Sequence, residues 1–339
     1  MTVDTSGLFA PLALRNLTVP NRFAMAPMTR QASPGGIPGP DVAEYYARRA
    51  AGGVGLIITE GVRLGDPSAA GSQDIPTLVG AAALDGWRNV TSAVHRHGST
   101  IAAQLWHQGA ERGDRDGVAP VSPSGVNGLG EQVGRALEAD ELPVVAQWYA
   151  EAARNAKDVG FDAVELHGAH GYLLDQFLWT RTNLRTDEYG GSVENRCRFM
   201  LELVEAVTRA VPANKVMARI SPSRFMGGLY EWPDLDEMIA HLAPALSQLG
   251  LGALDVSCAN SDYFQTSGRM VRKIRPYFPG VIVSGASLTQ EQAEAELESG
   301  FVDAITWGRA FIANPDLAQR MQDGAELVPF DDSMRSTLV

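Results

Sequence analysis

Cysteine is scarce in this chain. Cys197 and Cys258 are too few for a disulfide framework or a four-thiolate zinc site, and each reads as a small buried hydrophobe. Lysine is scarce too, at positions 157, 215 and 273 only, so the basic side is mostly arginine. No apolar run approaches the roughly 18–20 residues that cross a bilayer, which argues against a membrane partner. The first residues show neither a basic start nor an apolar stretch, so the expected compartment is the cytoplasm. The 28 Lys and Arg face 40 Asp and Glu, and a formal net charge of −12 suits no general nucleic-acid binder. No G-x-G-x-x-G joins a strand to a helix and no phosphate loop occurs, which argues against an open dinucleotide-binding sheet. No pattern encodes an oligomeric state, and a homo-oligomer stays open.

What is present is ordinary globular composition over 339 residues, with 45% hydrophobic side chains and 20% charged. Eight short apolar runs read as strands buried on both faces: 22–28, 54–60, 100–106, 161–167, 216–221, 253–258, 281–285 and 303–308. Between them lie helical patterns at 41–51, 84–97, 143–159, 192–211, 234–249 and 289–298, with a last one at 315–322. Thr289 opens its helix with a T-Q-E-Q capping box. Eight alternating units in a chain of this length predict a (β/α)8 TIM barrel, with the whole of 1–339 as one domain. Residues 8–20 read as a hairpin that caps the barrel bottom. The long connections after the third and fourth strands, 110–142 and 168–191, are expected as lids or pocket walls on the C-terminal face.

Polar residues gather at the C-terminal strand ends. Gly285-Ala286 and Gly308-Arg309, each followed by a helix start, suit a phosphate; ordinary turn glycines and a surface arginine are the plainer alternative. His167, His170 and Tyr172 lie within six residues, so two imidazoles can hold an oxygen while a phenol delivers a proton. A metal site would need Glu165, Asp175 or His107 as further ligands, and no metal is expected. Arg219 in an apolar strand demands an anionic or carbonyl partner, either a planar heterocycle or a structural ion pair with Glu165 or Asp255. Gln104 is a similar inward polar residue, suited to the imide edge of a ring.

These residues resemble the old yellow enzymes, the NADH:flavin oxidoreductase family of FMN-containing barrels. The resemblance runs from Leu8-Phe9-Ala10-Pro11 to Asn314-Pro315-Asp316-Leu317. It rests on PNRFAMAPMTR at 20–30, GGVGLIITEG at 52–61, QLWHQG at 104–109, HGAHGYLLDQFL at 167–178, TDEYGGSVENRCRF at 186–199, RISP at 219–222 and WGRAFIANPDL at 307–317.

The resemblance implies FMN, held without a covalent bond at the barrel mouth and reduced by NADPH or NADH. Pro27, Met28 and Thr29 would line the ring. Gly61 and Gln104 would sit at its pyrimidine edge, with Arg219 beside the position where negative charge collects on reduction. Gly285, Ala286, Gly308 and Arg309 would hold the phosphate. The small-molecule partner would be an electrophilic alkene, its carbonyl or nitro oxygen held by His167 and His170 and its α-carbon protonated by Tyr172, in a ping-pong cycle. Trp106 is expected to shape the substrate pocket, and Tyr263 and Phe264 to touch substrate. His170 stands where the yeast-type branch has Asn, and Gly61 where many relatives have Ala. No cysteine cluster exists for the iron–sulfur centre of longer relatives. Nitrate esters or nitroaromatics are an alternative substrate class on the same barrel.

Overall fold

In the computed structural model, residues 7–14, 17–113, 117–225, 229–258 and 261–338 are described. Eight parallel strands close into a barrel: β1 (Phe23–Met25), β2 (Leu56–Arg63), β3 (Thr100–Trp106), β4 (Ala163–Gly168), β5 (Val216–Ile220), β6 (Ala253–Val256), β7 (Val281–Gly285) and β8 (Ala304–Trp307). Each strand pairs with its sequence neighbours, and β8 returns to β1 through Ile305↔Phe23. This is the (β/α)8 barrel that the sequence pattern predicts.

The strands are apolar almost throughout because both of their faces are covered. In β2, Leu56 and Ile58 point into the barrel, while Ile57 packs outward with the helices. The outer layer includes α1 (Pro40–Ala51), α2 (Ala81–His95), α3 (Leu142–Asp158), α4 (Leu173–Leu178), α5 (Val193–Ala210), α6 (Leu235–Gln248), α7 (Ser267–Ile274), α8 (Gln290–Glu298), α9 (Arg309–Ala313) and α10 (Leu317–Asp323). The expected capping box forms at Thr289, whose hydroxyl accepts from Gln292 N–H. Ser192 caps α5 in the same manner.

Leu12–Leu14 and Leu17–Val19 pair antiparallel. Leu12, Leu14 and Val19 plug the barrel bottom against Ala24, Leu56, Ala102 and Ala163, which is the hairpin cap expected from the sequence. One end of the barrel is thereby sealed, and chemistry is confined to the other. Among the described residues, no helix is long and apolar enough to cross a membrane.

Candidate active site

A cavity of about 450 Å³ opens at the C-terminal face, a volume typical of a cofactor or ligand site. Its wall includes Pro27, Met28, Thr29, Gln104, Trp106, His167, His170, Tyr172, Arg219, Gly285, Ala286, Gly308 and Arg309. Six of the eight strands, or the turns just after them, contribute these residues. Two expected positions are placed elsewhere, and a third, Gly61, lies beside the wall rather than in it. Tyr263 is buried in the core and donates its hydroxyl to Glu296 at 2.9 Å; Glu296 also pairs with Arg272. Phe264 is 44% exposed and packs edge-on against the Tyr263 ring. The carboxylate on α8 thus draws the Tyr263 phenol away from the cavity, and Phe264 stays at the surface. Gly61 opposes Gln104 in the sheet, but a Cβ there would lie 2.3 Å from the Trp106 ring.

That close approach links Gly61 to the substrate side. The Trp106 indole meets the Tyr172 ring edge-on, with centroids 4.9 Å apart. Gly61→Ala must push the indole toward Tyr172. The expected result is a loss of about 1–3 kcal/mol in stability together with weaker binding of phenolic ligands. Both should recover when Trp106→Leu is added, as read by chemical denaturation and ligand titration. Equal losses in the single and double variants would place the strain in the backbone instead.

The histidine–tyrosine cluster is built by a bend that the spacing alone does not reveal. His170 adopts φ +59°, the left-handed region that non-glycine residues seldom enter. Its N–H donates to Ser221 Oγ at 2.7 Å, and Gly171 N–H donates to Asp175 Oδ2, also at 2.7 Å. Asp175 is completely buried and is held by Arg224, with one donor contact of 2.8 Å. The bend brings the His167 and His170 rings to 5.4 Å and the His167 and Tyr172 rings to 5.2 Å. His167 Nδ1 and His170 Nε2 are buried without a protein partner among the described residues.

Burial, reinforced by the Arg219 charge, holds both imidazoles well below the usual histidine range. They are neutral at pH 7 and act by hydrogen bonding rather than charge. Burial and nearby Glu111 push the Tyr172 phenol up, so it keeps the proton that a donor needs.

At the barrel floor, Gln104 Nε2 donates to Glu165 Oε2 at 2.7 Å. Arg219 donates to Ser257 Oγ at 2.8 Å and brings Nε to 3.1 Å from Asp255. Arg219 thus makes the ion pair with Asp255 and also lines the cavity. The three further ligands considered for a metal are engaged separately: Glu165 by Gln104, Asp175 by Arg224 and His107 by Asp66 at 2.9 Å.

Glu60 supports the turn that carries Thr29. Its Oε2 accepts N–H from Arg30 at 2.8 Å and from Gln31 at 3.0 Å, and Gln31 is left-handed at φ +53°. Burial pushes the carboxyl up to about 7 from its ordinary 4.5. A raised folded value means that the native state binds the proton more tightly than the unfolded chain does. That stabilisation is full below the ordinary value and is lost as pH rises through about 7. Glu60→Gln keeps an acceptor and removes the titration. Between about pH 4 and about pH 8, wild-type stability should therefore fall by about 3 kcal/mol relative to the variant, as measured by urea unfolding. Parallel profiles would remove Glu60 as the titrating group.

Sequence reasoning missed several wall residues. Ser257, Cys258 and Ser261 follow β6, and Ser287 follows β7. Arg335 arrives from a C-terminal segment that is tied down by Arg30, which donates to the Met334 and Thr337 carbonyls. No motif marks Arg335. Among the described residues, the contribution of β3 and the 110–142 connection to the cavity wall stops at Trp106.

The donor set fits FMN. Among the described residues no carboxylate pairs with Arg309, which leaves its guanidinium for a phosphate beside the Gly285 and Gly308 backbones. Gly285 is confined there: a Cβ would lie 2.2 Å from the Thr306 carbonyl oxygen. Gln104 and Arg219 face the same cavity from its floor, as a planar ring with an imide edge requires.

Comparison with known proteins agrees with this geometry. Residues 7–327 match the sequence pattern of the NADH:flavin oxidoreductase / NADH oxidase family. The chain is 36% identical to 12-oxophytodienoate reductase 7 of Oryza sativa subsp. japonica, covering 94% of this chain and 89% of that protein. It is also 36% identical to a Leishmania infantum protein named "probable flavin mononucleotide-dependent alkene reductase", over 94% and 91%. Among solved structures, morphinone reductase superposes with TM-score 0.89 at 37% identity, covering 99% of this chain and 94% of that one. The old yellow enzyme homologue of Zymomonas mobilis gives 0.90 at 35%, covering 98% and 96%. Morphinone reductase has also been solved with tetrahydroNAD. The chain belongs to the NADH:flavin oxidoreductase / NADH oxidase family, the old yellow enzymes, and is an oxidoreductase whose cofactor is FMN.

Proposed function

We propose that this protein reduces the activated C=C bond of α,β-unsaturated carbonyl or nitro compounds at the expense of NAD(P)H. The observation that carries the reading is the pair of buried, neutral imidazoles, each with a nitrogen lacking a protein partner among the described residues, next to a protonated phenol. FMN supplies the two-electron chemistry, accepting a hydride equivalent from the nicotinamide and passing one to the substrate β-carbon.

The chain's residues do the rest. Pro27, Met28 and Thr29 would lie along the ring, Gln104 and Gly61 near its pyrimidine edge, and Gly285, Ala286, Gly308 and Arg309 on the phosphate. Arg219 would compensate the negative charge that reduction brings. His167 and His170 donate hydrogen bonds to the substrate oxygen, which draws electron density from the β-carbon. Tyr172 gives its proton to the α-carbon. Trp106, packed against Tyr172, limits how the alkene lies beneath the phenol. The chain would work as one unit from end to end, in the cytoplasm.

The test is anaerobic and has two stages. Yellow protein is first bleached with NADPH or NADH, then mixed with cyclohexenone, a nitroalkene, a nitrate ester or a nitroaromatic. Rapid reoxidation by the first two, with a saturated product, is the expected result. Bleached protein reoxidised only by nitrate esters or nitroaromatics would overturn the reading.

A further inference from the structure

The barrel encloses two carboxyl groups for one guanidinium. Glu165 on β4 and Asp255 on β6 are both fully buried. Arg219 stands on β5 between those strands, directly opposite Asp255 in register. Its Nε reaches Asp255 Oδ2 at 3.1 Å, and its other end is spent on Ser257 Oγ. Gln104 serves one oxygen of Glu165. Among the described residues nothing donates to Glu165 Oε1 or Asp255 Oδ1, although the two carboxyl groups lie within hydrogen-bonding reach of each other. Nearby His167 and His170 are neutral and add no cation.

One cation balances one carboxylate. A second carboxylate without water or a cation takes up a proton instead. Asp255 Oδ2 meets Arg219 only as an ion pair without hydrogen-bond geometry, and a single proton placed between the facing groups gives one oxygen of each carboxyl group a partner. Burial and mutual repulsion push Glu165 up, and burial pushes Asp255 up, against the pull of Arg219. Such a pair titrates as a unit.

We propose that Glu165 and Asp255 hold one proton between them, and that this proton keeps a second negative charge away from Arg219 and the reduced flavin, so that the pair sets the FMN reduction potential and its dependence on pH. The inference rests on Arg219 facing the flavin, as in the functional reading above. At neutral pH the shared proton stays in place through both half-reactions. In alkaline solution the pair loses it to solvent, and reduction of the flavin draws one proton back from solvent onto the pair. The balance is then two electrons and one additional proton per flavin.

The experiment is a spectroelectrochemical titration of the FMN-loaded wild type and Glu165→Gln from about pH 6 to about pH 10. Gln mimics the protonated acid, so the two potentials should follow the same slope at the acid end. The wild type should then acquire an extra tenfold change in the redox equilibrium per pH unit, about 30 mV for a two-electron couple, and the variant should not. Asp255→Asn neutralises the other partner and should also lose the extra slope, which guards against poor folding of either variant. Infrared spectra of the oxidised protein should show a protonated carboxyl band at the acid end that Glu165→Gln removes. A wild type without that band has no shared proton, and the proposal falls. A band accompanied by parallel potential curves overturns the coupling to flavin. Neither readout requires alkene turnover, so such a failure is distinct from failure of the ene-reductase reading.

Discussion

Tyr172→Phe is expected to slow reoxidation of the reduced protein by an activated alkene by about 10²–10⁴-fold, the usual weight of a positioned acid, while bleaching by the nicotinamide keeps its rate. The two half-reactions place different demands on the residue. In the proposed cycle only the second adds a proton to carbon, and Tyr172 is the group beside the imidazoles with a proton to give. Its ring is held by Trp106 on one side and lies 5.2 Å from His167 on the other, so the phenyl variant keeps the packing and loses only the hydroxyl. Because the phenol is pushed above its ordinary range, the wild-type oxidative rate should also stay flat in pH through neutrality. Stopped-flow traces of each half-reaction decide the point. Equal slowing of both would indicate a role in cofactor or ligand placement rather than proton transfer.

The barrel was legible because parallel strands covered on both faces leave near-continuous apolar runs, and because polar residues interrupt those runs where the mouth lies. Arg219 and Gln104 stood out for that reason, and the glycine pairs after β7 and β8 did as well. Boundaries were less legible: the run at 253–258 is strand only to Val256, and Ser257 and Cys258 turn into the cavity wall. The short helices α4 and α7 escaped notice, since six and eight residues show too little periodicity to separate from loop. Tyr263 was misplaced for a different reason. An aromatic after a strand reads as a pocket residue unless the partner of its hydroxyl is known, and Glu296 lies 33 residues further along the chain. Arg335 reaches the cavity through tertiary anchoring of the C-terminal segment, which leaves no local signature. The left-handed turn at His170 was equally hidden, because its determinants, Ser221 and Arg224, lie in the segment that follows β5, about fifty residues further along the chain.

That hidden turn leads to the second large effect. Asp175→Leu is expected to destabilise the protein by about 3–5 kcal/mol, because it leaves the Arg224 guanidinium buried without its counter-charge. Arg224 is 2% exposed and faces the rings of Trp179 and Tyr230, which cannot neutralise it. Adding Arg224→Met removes the stranded charge and should restore most of the stability. Ligand binding should not follow. Asp175 also accepts the Gly171 N–H and touches Ser221 Oγ at 3.4 Å, the same hydroxyl that receives the His170 N–H. Without that carboxylate the Gly171 N–H loses its acceptor and Ser221 Oγ loses the group that orients it under the φ +59° bend, and the His170 ring drifts from the oxygen-binding position. The double variant should therefore unfold near the wild-type denaturant midpoint, yet bind a phenolic ligand at least tenfold more weakly, about 1.4 kcal/mol. Its KM for the alkene should rise, with flavin reduction by the nicotinamide unchanged. Recovery of both stability and phenol affinity in the double variant would make Asp175–Arg224 a structural ion pair with no part in aiming His170.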